Sequence, residues 1–552
     1  MKKTLCILLS IIMMFSCFII NVGAAGTVYY IDGTSGSDSA TGRSERSAWK
    51  TAENLRTTKL EAGDKVLFKR GEVYTVNCLT LTCSGKGKTD IVISAYGNGD
   101  KPILTTSEKT EVLRLVDCSY VTVSDLEITA HNGGGIWIDT KNAESDGIVL
   151  NNLTIHDIQN YKVTSRDSQA NPTAARACIM VKSLSFPSPS LYRVNNLMVT
   201  NCEMYDCGNG LLLWGAFAPG SNSPWDENES DDPTLIYNQN AYVDNCYFHD
   251  MDAEGMIIGQ TKNALVTDCR FINCCQGEAK TEDGKSQYCT APVWFWGGLD
   301  STVQNCEVSG SKNFGDGMAC DFDSWTDNCT YQYIYSHDNT RFVCLCPYGT
   351  GQHNNTIRYC LSVNDNVGRN SIGGSGGEYN LKFYNNTIVN CSGFSMNQTY
   401  DSVFANNIIT GNCVCDFYWT RKNVDDSTGE KVIHEYSGVF TNNCLWGVCV
   451  PRVAEKNYIC DPGFAGTDLT DPESFVLGEN SRLLGKGTDI ENDAETDFFG
   501  NEITSCNIGC YGGNGEGKAP VRVFDIIWKL INSVLGRLVQ VISDLSNRYW
   551  LF

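Results

Sequence analysis

Between residues 195 and 412 the chain repeats one short pattern of apolar and polar positions. The stretch "NNLMVTNCEMYDCGNGLLLW" opens the series. "NAYVDNCYFHDMDAEGMIIG", "NALVTDCRFINC", "LDSTVQNCEVSG", "NTIRYCLSVNDN", "YNLKFYNNTIVN" and "DSVFANNIITGN" continue it. Each reads as a short apolar strand, then Asn or Asp with Cys or Asn, then a second short apolar strand. A Gly-containing turn and a third strand often follow. Asn201, Asn245, Asp268, Asn305, Gln332, Arg358, Asn385 and Asn406 fall at the equivalent position, at intervals of 44, 23, 37, 27, 26, 27 and 21. The shortest intervals define one coil. The interval of 44 reads as two coils, and 37 as one coil with a loop insertion.

A period in the twenties without a helical pattern predicts an all-β solenoid. Strands separated by one or two residues cannot turn back as hairpins. They can wind around a coil and pair in parallel with the coils above and below, stacking equivalent residues about 4.8 Å apart. A column of Asn at the bend then passes amide hydrogen bonds from coil to coil. An antiparallel sandwich has strands of similar length but does not account for the recurrent Asn/Cys position.

The ends of the chain change the picture. Residues 1–25, with Lys2 and Lys3 ahead of an apolar run that ends in Gly23, Ala24 and Ala25, have the form of a secretory signal peptide. Residues 514–520 read as a linker. In 521–552 the apolar residues at 524, 527, 531, 534, 538, 541 and 545 alternate by three and four, the mark of an amphipathic helix. It carries too many charges to span a bilayer comfortably. It suits a membrane surface, a partner helix or the flank of the solenoid. The remaining span, 26–513, is the solenoid domain. A secreted chain is expected, with cell-surface association through the last segment as one form of that expectation.

The formal net charge is −22, and loss of Lys2 and Lys3 with the leader makes it −22 − 2 = −24. That balance argues against a nucleic-acid partner and against a polyanionic glycan unless cations intervene, and it is neutral toward an uncharged polysaccharide or oligosaccharide. Of 27 Cys, two (Cys6 and Cys17) leave with the leader, so the remaining 25 cannot all pair within one chain. No C-x-x-C spacing occurs, which makes a zinc site a poor reading. The recurrence of Cys at one repeat position points to buried small apolar side chains.

The openings "YYIDGTSGSDSATGRSERSAWKTAENL" and "IVISAYGNGDKPIL", the closing "SRLLGKGTDI", "TDFFGNEI" and "NIGCYGG", and the coil repeat between them resemble the right-handed parallel β-helix carbohydrate-active enzymes, the pectate-lyase-like superfamily. The resemblance covers about 27–513, with an N-terminal cap at one end and a last coil within 481–513. The segment "DGMACDFD…QYIYSHDN" is most similar to the β-helix glycoside hydrolases with xylanase and α-fucosidase members. The polygalacturonase signatures N-T-D, G-H-G and R-I-K are absent. The resemblance implies that the Asn bend joins the second and third strands of each coil. It also implies that substrate lies along the outside of the first strands, here 135–138, 211–214, 256–259, 293–297, 318–323 and 341–346.

Strand alternation then predicts that Trp294 and Trp296 point outward from one coil and Asp321 and Asp323 from the next. By the same count Met318, Cys320 and Phe322 point inward and Ala319 outward. The indoles, with Trp214 extending them, would stack on sugar rings. Asp321 and Asp323 stand i, i+2 on a strand, with Cα atoms roughly 6.6 Å apart. Like charges that close raise one pKa, which suits a proton donor. Glycoside hydrolysis needs two carboxyls. Asp338 or Glu378 could supply the second, with His337 and Arg341 orienting the sugar or tuning the acids. Asp316 and Glu254 enter as further substrate contacts. His–Asp recurs at His156–Asp157, His249–Asp250 and His337–Asp338, which favours a turn role for at least the first two. The expected function is a glycoside hydrolase with no cofactor and no bound metal. A polysaccharide lyase, in which the aspartates hold Ca²⁺ and Arg341 is the base, and a non-catalytic glycan-binding solenoid are the alternatives.

Overall fold

The computed structural model describes residues 26–515, apart from 88, 132, 159–176, 183–190, 218–234, 278–289, 313–315, 346–350, 374–376, 397, 418–419, 425–430, 436, 452 and 492. The leader, most of the linker and the amphipathic segment 521–552 lie outside the described residues. Within them the chain winds as a parallel β-helix with three sheets. The first sheet stacks eight described strands, from Leu79–Leu81 to Phe322–Asp323. A second sheet of 14 described strands runs beside it, and a third of 16 takes in Met318–Cys320, Arg341–Leu345 and Asn370–Ile372, which continue the first sheet's column of rungs; nearly every pairing is parallel. One continuous apolar core fills the coil from Tyr29 to Leu445.

The bend between second and third sheets explains the repeat. Asn201, Asn245, Asp268, Asn305, Asn385 and Asn406 adopt φ between 50° and 57°, the left-handed region that Asn and Asp tolerate. Asn245 donates its amide to Asn201 Oδ1 at 2.8 Å, and Asn406 to Asn385 Oδ1 at 3.0 Å. The following position turns inward. Cys202, Cys246, Cys269, Cys306 and Cys360 are buried there. In the last coils Asn386, Asn407 and Asn443 replace them. Asn407 accepts from Asn386 N at 3.0 Å and donates to Asn443 Oδ1 at 2.9 Å and to Phe383 O at 3.0 Å. Asn407→Ala is therefore expected to leave several buried backbone groups unpaired and to cost about 3 kcal/mol, read as a lower urea midpoint. Alongside, Phe383, Phe404 and Phe440 stack at 4.7 and 4.8 Å, the strand spacing itself.

Three expectations need correction. The 44-residue interval is one coil, because Met198 pairs with Tyr242 directly. The extra length falls largely in 218–234, between described strands. At two coils the bend residue is Tyr333 or Tyr359, one position after Gln332 and Arg358. Residues 481–513 add no rung to the sheets. They run back along the bend corner, where Asp493 accepts from Tyr359 Oη at 2.9 Å and Thr496 O from Tyr333 Oη at 3.0 Å.

On four rungs two consecutive residues point inward at this level: Val112–Leu113, Cys178–Ile179, Ala319–Cys320 and Phe342–Val343. This local departure from alternation recurs at one level of the stack. It makes Ala319 and Cys320 inward and Met318 outward, where simple alternation had Met318 inward and Ala319 outward. Asp321 and Asp323 still face out, on either side of inward Phe322.

Candidate active site

Phe295 pairs with Phe322 and Trp296 with Asp323 in parallel register, so the Trp coil and the Asp coil are adjacent rungs. The register carries two outward columns along the first sheet. One runs Trp137, Met180, Leu212, Ile257, Trp294, with Asp321 on the next rung. In the other, Gly259 precedes Trp296 and Asp323. The floor beneath is fixed by Tyr331, a buried core residue whose one hydroxyl proton is shared between Val293 O and Asp321 O, both at 3.0 Å. Phe295 packs on Phe322 and Tyr331 at 5.7 and 5.3 Å.

The indoles are outward but unequal. Trp214 and Trp296 are each only 4% exposed, packed edge-on at 5.5 Å among Met180, Leu212 and Ile257. Trp294 is half-buried beside Ala291, Met318 and Cys344. Trp296 also meets Trp325 at 5.7 Å. Trp325 is half-buried, takes φ of 61° and follows Asp323 by two residues. Alternation could not find it, since it stands past the strand end; its place in "DFDSW" was the available signal. The open aromatic surface is thus Trp294 and Trp325, with Trp214 and Trp296 supporting them from below.

Four carboxyls converge electrostatically. Burial pushes the Asp321 carboxyl well above the usual carboxylate range, and the charges of Asp323, Asp316, Cys344 and Glu378 push it further. Asp323 Oδ1 accepts from Ser324 N at 2.7 Å and from its hydroxyl at 3.3 Å, which fixes the rotamer. Glu378 comes from the turn after the first sheet, where Gln352, Glu378 and Thr399 share a register. It is 1% exposed, and burial, then Asp323, raises its pKa well above the ordinary value. Its Oε1 meets no hydrogen-bond partner among the described residues. Beside it Gln352 Nε2 donates to Phe322 O. Arg341 pairs in register with outward Met318 and places Nη1 3.4 Å from Cys344 Sγ.

Glu254 precedes its first-sheet strand on the same face and is fully buried. Burial lifts its pKa to about 8, with the Asp316 charge adding to the rise. The native state therefore holds a proton on Glu254 that the unfolded chain releases near pH 4.5. Stability contributed by this protonated form is present below that pH and declines as pH rises toward 8. Glu254→Gln is expected to flatten that decline, so that its melting temperature exceeds wild type at pH 8.5 more than at pH 5.

His337 and Asp338 stand elsewhere. They lie on the third sheet, where His337 pairs in register with Ser309 and Val363. His337 Nδ1 meets Asp338 at 2.9 Å and Nε2 meets Glu307 at 3.3 Å, so both ring nitrogens are engaged. His156 has the same arrangement with Asp157 and Glu127, and His249 meets Asp250 at 2.7 Å. Each of these Asp residues takes φ of 50° to 56° at the strand end. The motif is a repeated turn device, and the structure does not bring His337 or Asp338 into the carboxyl group around Asp321. Among the described residues, no three His, Cys, Asp or Glu side chains converge to hold a metal ion.

No protein-family model matches the sequence. Over 475 residues the chain is 23% identical to a lacto-N-biosidase of Bifidobacterium longum subsp. longum, covering 70% of this chain and 29% of that protein. It thus spans under a third of that relative's length. Its fold is similar to that of the GH136 lacto-N-biosidase from Eubacterium ramulus, with a TM-score of 0.51 and 20% identity over 78% of this chain and 67% of that one. It is also similar to XylC solved in complex with xylose, with a TM-score of 0.52 and 11% identity over 89% and 99% of the two chains. The chain is a parallel β-helix protein with the architecture of the β-helix carbohydrate-active enzymes.

Proposed function

We propose that the chain is a secreted glycoside hydrolase acting on an oligosaccharide or polysaccharide along the outer face of the first sheet. One observation carries the reading: Asp321 and Asp323 face outward from one strand, a rung from Trp294, with burial and acidic neighbours pushing the Asp321 carboxyl well above the ordinary range. Supporting it, the curated relative is a lacto-N-biosidase and one structural neighbour was solved with xylose.

In this mechanism a sugar ring stacks on Trp294 and Trp325. Asp321 donates its proton to the leaving glycosidic oxygen as the C–O bond breaks, and Asp323 supplies the carboxylate charge that stabilises the oxocarbenium-like transition state; a water then bonds to the anomeric carbon and gives a proton back to the Asp321 carboxylate, which completes hydrolysis and restores the acid. Glu378, buried against Asp323, has its pKa pushed well above the ordinary value, which limits how much negative charge the site holds. Arg341 and Asp316 border the pair. The chemistry requires no cofactor. Secretion rests on the form of residues 1–25.

The test is a glycan library screened with wild type and with the Asp321→Asn/Asp323→Asn double variant. Reducing sugar should appear without a 4,5-unsaturated product, unchanged by chelator, and only with wild type. Unsaturated products that vanish with chelator would establish a lyase. Binding without turnover, equal in both proteins, would establish a glycan-binding solenoid.

A further inference from the structure

A cavity opens on the C-terminal coils, where the third sheet turns toward the first. It is an open depression of about 520 Å³, lined by Arg369, Ser392, Gly393, Asn412, Gly447, Val448 and Cys449. These residues come from four successive rungs. Arg369 precedes Asn370, which pairs with Phe394; Gly393 pairs with Val414, and Val448 with Cys413. Ser392 Oγ donates to Gly368 O at 2.8 Å, and Arg369 Nη2 to Phe394 O at 3.4 Å.

Two features suit a ligand. The wall offers a guanidinium, a hydroxyl and an amide, a set able to take both a carboxylate and sugar hydroxyls. The position also fits. Gly368 lies against the Arg341 guanidinium, so this stack of rungs continues the one that borders Asp321.

We propose that this cavity is an accessory site for an acidic sugar residue, with Arg369 receiving the carboxylate. The choice of a sugar rests on the proposed function, but binding is read without turnover. The full chain would be titrated with glucuronate, glucose and acetate by saturation-transfer NMR. Glucuronate should bind at least about tenfold more tightly than glucose or acetate, the worth of one charge-assisted hydrogen-bonded contact. Arg369→Gln should abolish that preference. Arg369→Lys, which keeps the charge, should retain part of it, and Asp323→Asn should leave it unchanged. Absence of glucuronate binding to wild type overturns the proposal. So does equal binding of glucose, equal binding of acetate (a bare anion site), or a preference that survives Arg369→Gln in a folded protein. Loss of glucuronate binding in Asp323→Asn would instead place the sugar at the acid cluster and overturn the second site.

Discussion

Asp323→Asn is expected to lower kcat about a thousandfold on whatever glycan the wild type cleaves, with KM changed little. The substitution keeps the shape and the Ser324 contacts at Oδ1 but removes the charge that the transition state requires. Asp321→Asn should cost a comparable factor for a different reason, since an amide cannot surrender the proton. The two losses should not add, because each removes a member of one working unit. The variants should also differ in stability. Burial and acidic neighbours push the Asp321 carboxyl well above the ordinary range, so ionising it costs stability, and the neutral amide removes that cost. Asp321→Asn should therefore melt at or above wild type at neutral pH while being nearly inactive. Parallel kinetics and calorimetry check both halves. An Asp321→Asn protein that is inactive only because it is unfolded would not meet the expectation.

The second large effect lies under the site. Phe295→Ala should destabilise the protein by about 3–5 kcal/mol, as for a buried aromatic in a packed interior. Phe295 is fully buried and sits between Phe322 and Tyr331. Phe322 divides Asp321 from Asp323, and Tyr331 ties the Asp321 carbonyl to that of Val293. Loss of the ring should let these groups shift, so activity should fall at temperatures where the fold persists. Phe404→Ala, in an equivalent stack several rungs away, should cost similar stability and spare kcat. That contrast, measured by urea denaturation and by kinetics at low temperature, separates a local effect on the site from a general one.

The coil was legible because its bend imposes chemistry on the sequence. A left-handed residue is needed once per turn, Asn meets it, and its amide also bonds to the next coil. Where the rule is broken the reading slipped by one residue. Tyr333 and Tyr359 adopt φ of 57° and 48°, unusual for bulky side chains. Their hydroxyls are held by Thr496 and Asp493, contacts more than 130 residues away that no local pattern reveals. An insertion of unknown length cannot be told from an extra coil by spacing, hence the 44-residue interval. The outward acids survived the recurrent double-inward step because it falls before Asp321; Met318 and Ala319, on its other side, did not. Outward direction also does not guarantee exposure. Trp214 and Trp296 point away from the core and are still buried, by Trp325 and other side chains outside the coil's interior. His337 looked like part of the site because it is near in sequence. A rung places it on another sheet, where Glu307 and Asp338 already engage it.

The central claim, that the acids and indoles of adjacent first-sheet rungs form one sugar cleft, is met most directly by a crystal structure of Asp323→Asn soaked with a glycan that wild type cleaves. A ring on Trp294 or Trp325, with its glycosidic oxygen within hydrogen-bond reach of Asp321, is the predicted result. A glycan seated along the third sheet beside His337 and Asp338, or anywhere that leaves Asp321 without contact, would contradict it.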